Sequence, residues 1–172
     1  FDVRGFAPEG EFILGDDLAR VPLELGSVAD SARLNDVVRE HEPWGFIIFK
    51  RNVETPSQLR RLIGAVREAA GRNVPVLVDQ EGGRVQRLGP PHWPSYPPGA
   101  AYGRLYDRDT AEGIRAAYLG ARLIAADLAA VGIDVDCLPV ADVPASGADP
   151  IIGDRAYGQS ADKVSALARA VA

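Results

Sequence analysis

Apolar residues in this chain gather into short continuous runs, separated by stretches in which they recur every three or four positions. The runs "WGFIIF" (44–49) and "VPVLVD" (74–79) predict strands buried on both faces. "EFILG" (11–15) predicts an earlier strand, and "IDVDCLPVADV" (133–143) a fourth. Between them lie helical patterns. Residues 27–40 open on a Ser N-cap, with Val28, Leu34, Val37 and Val38 at roughly helical spacing. Thr55 caps Pro56, a favoured first-turn residue, and Leu59, Leu62, Ile63 and Val66 then share one face. Asp109 or Thr110 begins a long helix to about Ala130, and "SADKVSALARAVA" forms a last one. Residues 81–103, rich in Pro and Gly, read as a long loop.

The order is four β-then-α units, with crossovers long enough for parallel pairing. Two architectures accommodate it: an open doubly wound sheet, or part of a (β/α)8 barrel. The polar, Gly/Pro-rich segments all follow strand C-termini: Lys50-Arg51-Asn52, Asp79 to Arg87, and Asp142 to Arg155. Barrel enzymes build their sites from such loops, although open sheets also bind there. A whole barrel takes about 250 residues, so four units predict half of one. The pattern also stops inside a helix at "LARAVA", and the expectation is a piece of a longer protein.

Composition narrows the partners. The chain has 172 residues, 47% hydrophobic and 25% charged, which is ordinary for a soluble globular domain. A net charge of −5 and scattered arginines argue against a nucleic-acid partner. The single cysteine, Cys137, excludes an internal disulfide and fits a reducing compartment. No apolar run approaches the roughly 18 residues of a membrane span, and residues 1–11 lack the build of a signal peptide. The reading is a cytoplasmic protein.

The candidate chemistry centres on "VLVDQEGGRVQR" (76–87), where a buried strand ends on carboxylates. Asp79 and Glu81 can accept hydrogen bonds from ligand hydroxyls, and Gly82-Gly83 lets backbone approach a ligand closely. Arg84 and Arg87 are three apart and would share a face on a helical turn. Equally, Asp79 or Glu81 can pair with Arg84 or Arg87 merely to brace the turn. Arg155, in "DPIIGDRAYG" (149–158), has a similar choice between a ligand and Asp154. Asp142 ends a strand much as Asp79 does, with capping of loop amides as its expected role. His41 ends a helix, where a cation suits the dipole. His92, Trp93 and Tyr96 can stack on a sugar or simply pack their Pro-rich loop. "EGGR" lacks the glycine spacing of a phosphate loop, and nothing suggests a metal set or a Ser-His-Asp arrangement.

With "GFIIFKRNVETPSQLRRLI", "PPHWPSYPP", "IDVDCLPVADV" and "IIGDRAYG" in the same order around it, "VDQEGGRVQR" resembles glycoside hydrolase family 3. The likeness runs from about Phe12 to Ala172 and is to the bacterial β-N-acetylglucosaminidases of peptidoglycan recycling. Residues 1–11 stand as an unmatched extension, and "DDLARVPLELG" (16–26) has no counterpart in the resemblance either. The resemblance implies a (β/α)8 TIM barrel of which residues 1–172 supply the N-terminal half. It implies cleavage of terminal N-acetylglucosamine from 1,6-anhydro-muramyl muropeptides by a retaining mechanism, in the cytoplasm and without a cofactor. Asp79, Arg87 and Arg155 match the family's contacts to substrate. The family's Lys-His pair, its mobile loop bearing the acid/base His, and its nucleophilic Asp have no counterpart here. A retaining glycosidase needs a nucleophile and an acid/base about 5 Å apart, so no catalytic residue is assigned in this chain, which alone is expected to be inactive.

Two rivals remain open on the sequence. One is a non-catalytic half-barrel that binds sugar or self-associates through its open edges, since exposed sheet edges and apolar faces are rarely left uncovered. The other is a doubly wound domain binding a small anion. Strand order separates the barrel from the open sheet: sequential neighbours fit the first, a reversal the second.

Overall fold

The computed structural model describes residues 35, 36, 38, 42–145, 147 and 150–172. The expected strand at 11–15, His41 and most of the 27–40 helix lie outside them; Asn35, Asp36 and Val38 of that helix are helical. The chain divides into two compact units, one of residues 1–78 with 130–135, the other of 79–129 with 136–172.

In the first unit, strand β1 (Phe46–Ile48) runs parallel to β2 (Val76–Val78), with Phe46 opposite Val76 and Ile48 opposite Val78. All four are essentially inaccessible to water, as the continuous apolar runs predict. A 3₁₀ turn, Lys50–Asn52, follows β1, and Arg51 stacks over the Phe49 ring at 4.7 Å. Helix α1 (Pro56–Ala70) starts as the sequence predicts: Thr55 Oγ1 accepts from the Gln58 amide at 3.1 Å, with Pro56 at its first turn. Gly71, at φ 63°, ends it in the left-handed conformation. Leu59, Leu62, Ile63 and Val66 are buried, so the predicted stripe is the packed one. Arg67 donates to Asp134 at 2.6 Å and to the Gly132 carbonyl at 2.9 Å, and Asp134 in turn accepts from the Val76 amide at 2.9 Å.

The second unit departs from the expected long loop at 81–103. Strands β3 (Gln80–Gly82) and β4 (Val85–Gln86) form a short antiparallel ribbon, and helix α2 already begins at Gly99 (Gly99–Arg108). The ribbon turns at Gly82 and Gly83, whose φ values of 88° and 57° lie in the left-handed region that favours glycine. Helix α3 (Thr110–Val131) is opened by Asp109, whose Oδ1 accepts from the Ala111 and Glu112 amides at 3.0 and 3.1 Å. Strand β5 is only Val135–Asp136, far shorter than the 133–143 run suggests; Pro139 has no amide to donate to a ladder. Helix α4 (Ala161–Val171) buries Val164 and Leu167 in a cluster with Ala117 and Tyr157. A glycine is required at 103, because a Cβ there would fall on the Tyr157 carbonyl oxygen.

The sheet order is β1-β2-β5, following the chain without reversal. That is the order expected along a barrel wall. The fold is α/β and TIM-barrel-like.

Candidate functional site

Asp79 is the first residue past β2. Its Oδ2 accepts from Arg87 Nη2 at 2.6 Å. The side chains remain 26% and 23% exposed, so a ligand can reach a pair that offers both a charged acceptor and charged donors. The geometry therefore unites what the sequence leaves as alternatives: Asp79 and Arg87 brace the ribbon, and both face water.

Glu81, on β3, is more deeply placed, its side chain 6% exposed. It meets Arg155 in a two-pronged bond, Nε to Oε2 at 2.8 Å and Nη2 to Oε1 at 2.7 Å, the fork geometry that guanidinium and carboxylate share. This bond is the main reason the Arg155 proton is held more tightly than usual. The Asp154–Arg155 pair considered from the sequence does not form. Asp154 instead accepts from Arg84 at 3.1 Å, and Arg84 also donates to the Ile151 and Ile152 carbonyls. Arg84 and Arg87 do not sit on a helical turn; the ribbon sends them to different carboxylates. Asp79, Glu81, Arg87 and Arg155 all belong to the second unit.

Two glutamines hold this arrangement. Gln80 is 1% exposed, and its Oε1 accepts from the Arg87 and Leu88 amides at 2.9 and 3.0 Å while its Nε2 donates to the Leu88 carbonyl at 2.8 Å. Gln86 donates to the Leu88 and Pro94 carbonyls and accepts from the Tyr96 amide. Tyr96 donates to Asp127 at 2.7 Å, and both it and Trp93 are buried. The aromatics of the Pro-rich loop are thus packed. Exposed His92 stands at 82° to the Trp93 ring, with centroids 6.0 Å apart.

Asp136 is the residue that sequence reasoning passed over. Its Oδ1 accepts from the Gln80 amide at 2.9 Å, while Oδ2 is buried without a hydrogen-bond partner. Burial pushes its carboxyl up to about 7; the Gln80 amide opposes the shift and the charges of Asp79 and Glu81 add to it. A carboxylate on a strand is unusual, and that was the available signal. Neighbouring Cys137 is pushed up to about 12, chiefly by loss of hydration and then by Asp79, which leaves it a poor nucleophile. Asp142 is exposed and makes no hydrogen bond among the described residues. No group of three or more His, Cys, Asp or Glu among the described residues could hold a metal ion.

The model of the glycosyl hydrolase family 3 N-terminal domain matches residues 18–172. The chain belongs to this family. It is 37% identical over 142 residues to a beta-hexosaminidase of Xylella fastidiosa, a match that covers 81% of this chain and 41% of that protein. A beta-hexosaminidase of Thioalkalivibrio sulfidiphilus is 36% identical over 151 residues, 88% of this chain and 43% of that one. Among solved structures, NagZ from Neisseria gonorrhoeae in complex with N-trifluoroacetyl-D-glucosamine superposes with a TM-score of 0.73 at 30% identity. That likeness covers 84% of this chain and 41% of NagZ. The family 3 β-N-acetylglucosaminidase of Paenibacillus superposes with a TM-score of 0.71 at 29% identity, over 80% of this chain and 26% of its own. The chain thus spans less than half the length of these relatives. Among the described residues no helix is long and apolar enough to cross a membrane.

Proposed function

We propose that this chain is the substrate-gripping N-terminal half, residues 1–172, of a retaining β-N-acetylhexosaminidase. The enzyme removes terminal β-linked N-acetylglucosamine from peptidoglycan-derived muropeptides of the 1,6-anhydro-muramyl type, in the cytoplasm and without a cofactor. The observation that carries the reading is the Asp79–Arg87 pair, water-accessible at the end of β2 and two residues from the Glu81–Arg155 pair. A sugar hydroxyl both donates and accepts. A carboxylate and a guanidinium side by side satisfy both demands, and Arg155 adds further donors beside them. The relatives named beta-hexosaminidase and NagZ support the choice of an N-acetylated amino sugar.

These residues hold a sugar in place; they do not cleave it. Nucleophile and acid/base are supplied from outside these 172 residues, in keeping with relatives about twice as long. Fixing the terminal sugar against that pair is itself a large part of catalysis, because it replaces a random encounter by a prepared one. By itself the chain presents open sheet edges, and it self-associates through them.

The test is hydrolysis of a chromogenic β-N-acetylglucosaminide. The 172-residue chain is expected to give no turnover, and the complete reading frame to give it. In the complete protein Arg87→Ala lowers kcat/KM by about 2 kcal/mol, the scale of a charged hydrogen bond. Turnover by the short chain would contradict the division of labour, and an unchanged Arg87→Ala would return Arg87 to a purely bracing role.

A further inference from the structure

Three carboxylates of the second unit, Asp79, Glu81 and Asp136, gather at the start of the ribbon, and they are not equivalently served. Asp79 has Arg87 at 2.6 Å, and Glu81 has Arg155 at 2.8 and 2.7 Å. Asp136 has no cation within ion-pair distance among the described residues; its partners are the Cys137 backbone amide and, at 2.9 Å, that of Gln80. Its second oxygen is buried and unbonded.

What that amide belongs to gives the contact its reach. Gln80 is the residue between Asp79 and Glu81, and its side chain accepts from the amides of Arg87 and Leu88. One acceptor on β5 therefore fixes the backbone that carries both carboxylates, and through the Gln80 side chain fixes the backbone of Arg87 as well. We propose that Asp136 is a positioning residue of the sugar site: it holds Gln80, and through it Asp79 and Arg87, in place, and its ionisation weakens the grip on the sugar. The proposal rests on the reading of Asp79 and Arg87 as sugar contacts.

The sign follows from the surrounding charges. Facing Asp136 are Asp79 and Glu81 from the β2–β3 segment, its chain neighbour Cys137 and the Tyr157 hydroxyl, with Arg87 and Arg155 already committed to the other two acids. Protonated, Asp136 still accepts from the Gln80 amide and adds no charge. Ionised, it becomes a third, poorly hydrated anion that competes for the guanidinium groups holding Asp79 and Glu81. Its carboxyl, held up to about 7 by burial, puts the change near neutrality. The site grips more tightly below that pH than above it.

The experiment is a pH titration of the ¹⁵N-labelled complete protein, with and without N-acetylglucosamine as the probe. Without sugar, the Gln80 and Arg87 amide resonances are expected to move together with an inflection near neutral pH, and Asp136→Asn is expected to abolish it. N-acetylglucosamine affinity in the wild type is expected to fall at least about fivefold between acid and alkaline conditions, the low end of coupling between linked groups, while Asp136→Asn stays flat. Wild-type amides with no such inflection would overturn the proposal without any variant being needed, as would an inflection that survives Asp136→Asn. Binding by the wild type that ignores pH also overturns it. Absence of sugar binding at every pH, with the amide titration intact, is a different result: it overturns the sugar site itself, and with it the link drawn from Asp136.

Discussion

At the scale of residues, this site is a matter of which carboxylate finds which cation. Asp79, Arg87 and Arg155 were legible as charged groups placed just after strands. Their partners were not. Arg155 joins Glu81 across 74 positions and Arg84 joins Asp154 across 70, and local sequence carries no information about pairings that the fold alone brings together. Asp136 shows the cost of leaving an acid without a cation. Its folded-state carboxyl, at about 7, lies well above an ordinary aspartate near 3.9. Between those values the folded protein binds a proton that the unfolded chain has released. Stability from this group is therefore complete below about pH 4 and is lost as pH rises from there through about 7, by on the order of 4 kcal/mol. Thermal melts at pH 5 and pH 8 check this. Asp136→Asn is expected to gain stability relative to the wild type at pH 8 and clearly less at pH 5; a difference independent of pH would contradict the burial of an unpaired acid.

Elements were readable where a cap or an uninterrupted period marked them. Thr55-Pro56 starts α1, Gly71 ends it, and the apolar stripe between them is the buried one. The ribbon and α2 were hidden by the same chemistry that makes them. Strands of three and two residues are too short for a period to register, and the glycines and prolines around them read as loop. Gly82 does more than turn the chain. At φ 88° its position is strained for any other residue, and a Cβ would strike the Pro97 carbonyl oxygen. Gly82→Ala is expected to destabilise the protein by about 2 kcal/mol or more, and to loosen the Arg87 amide held by Gln80. Urea denaturation and amide exchange at Arg87 measure the two effects; a neutral substitution would mean that the ribbon tolerates another course.

For the whole molecule, strands in chain order and charged loops after their C-terminal ends pointed to a barrel segment, and strand order and family membership agree. At this scale the deciding question is whether sugar binds at the end of β2. Titration of N-acetylglucosamine into the ¹⁵N-labelled complete protein at pH 6 tests this most directly. The largest shifts are expected at the Arg87 and Arg155 side-chain Nε–H and the Gln80 amide, and Arg87→Ala should weaken the binding by at least about tenfold. Shifts that cluster elsewhere, or an affinity that Arg87→Ala leaves unchanged, would contradict it.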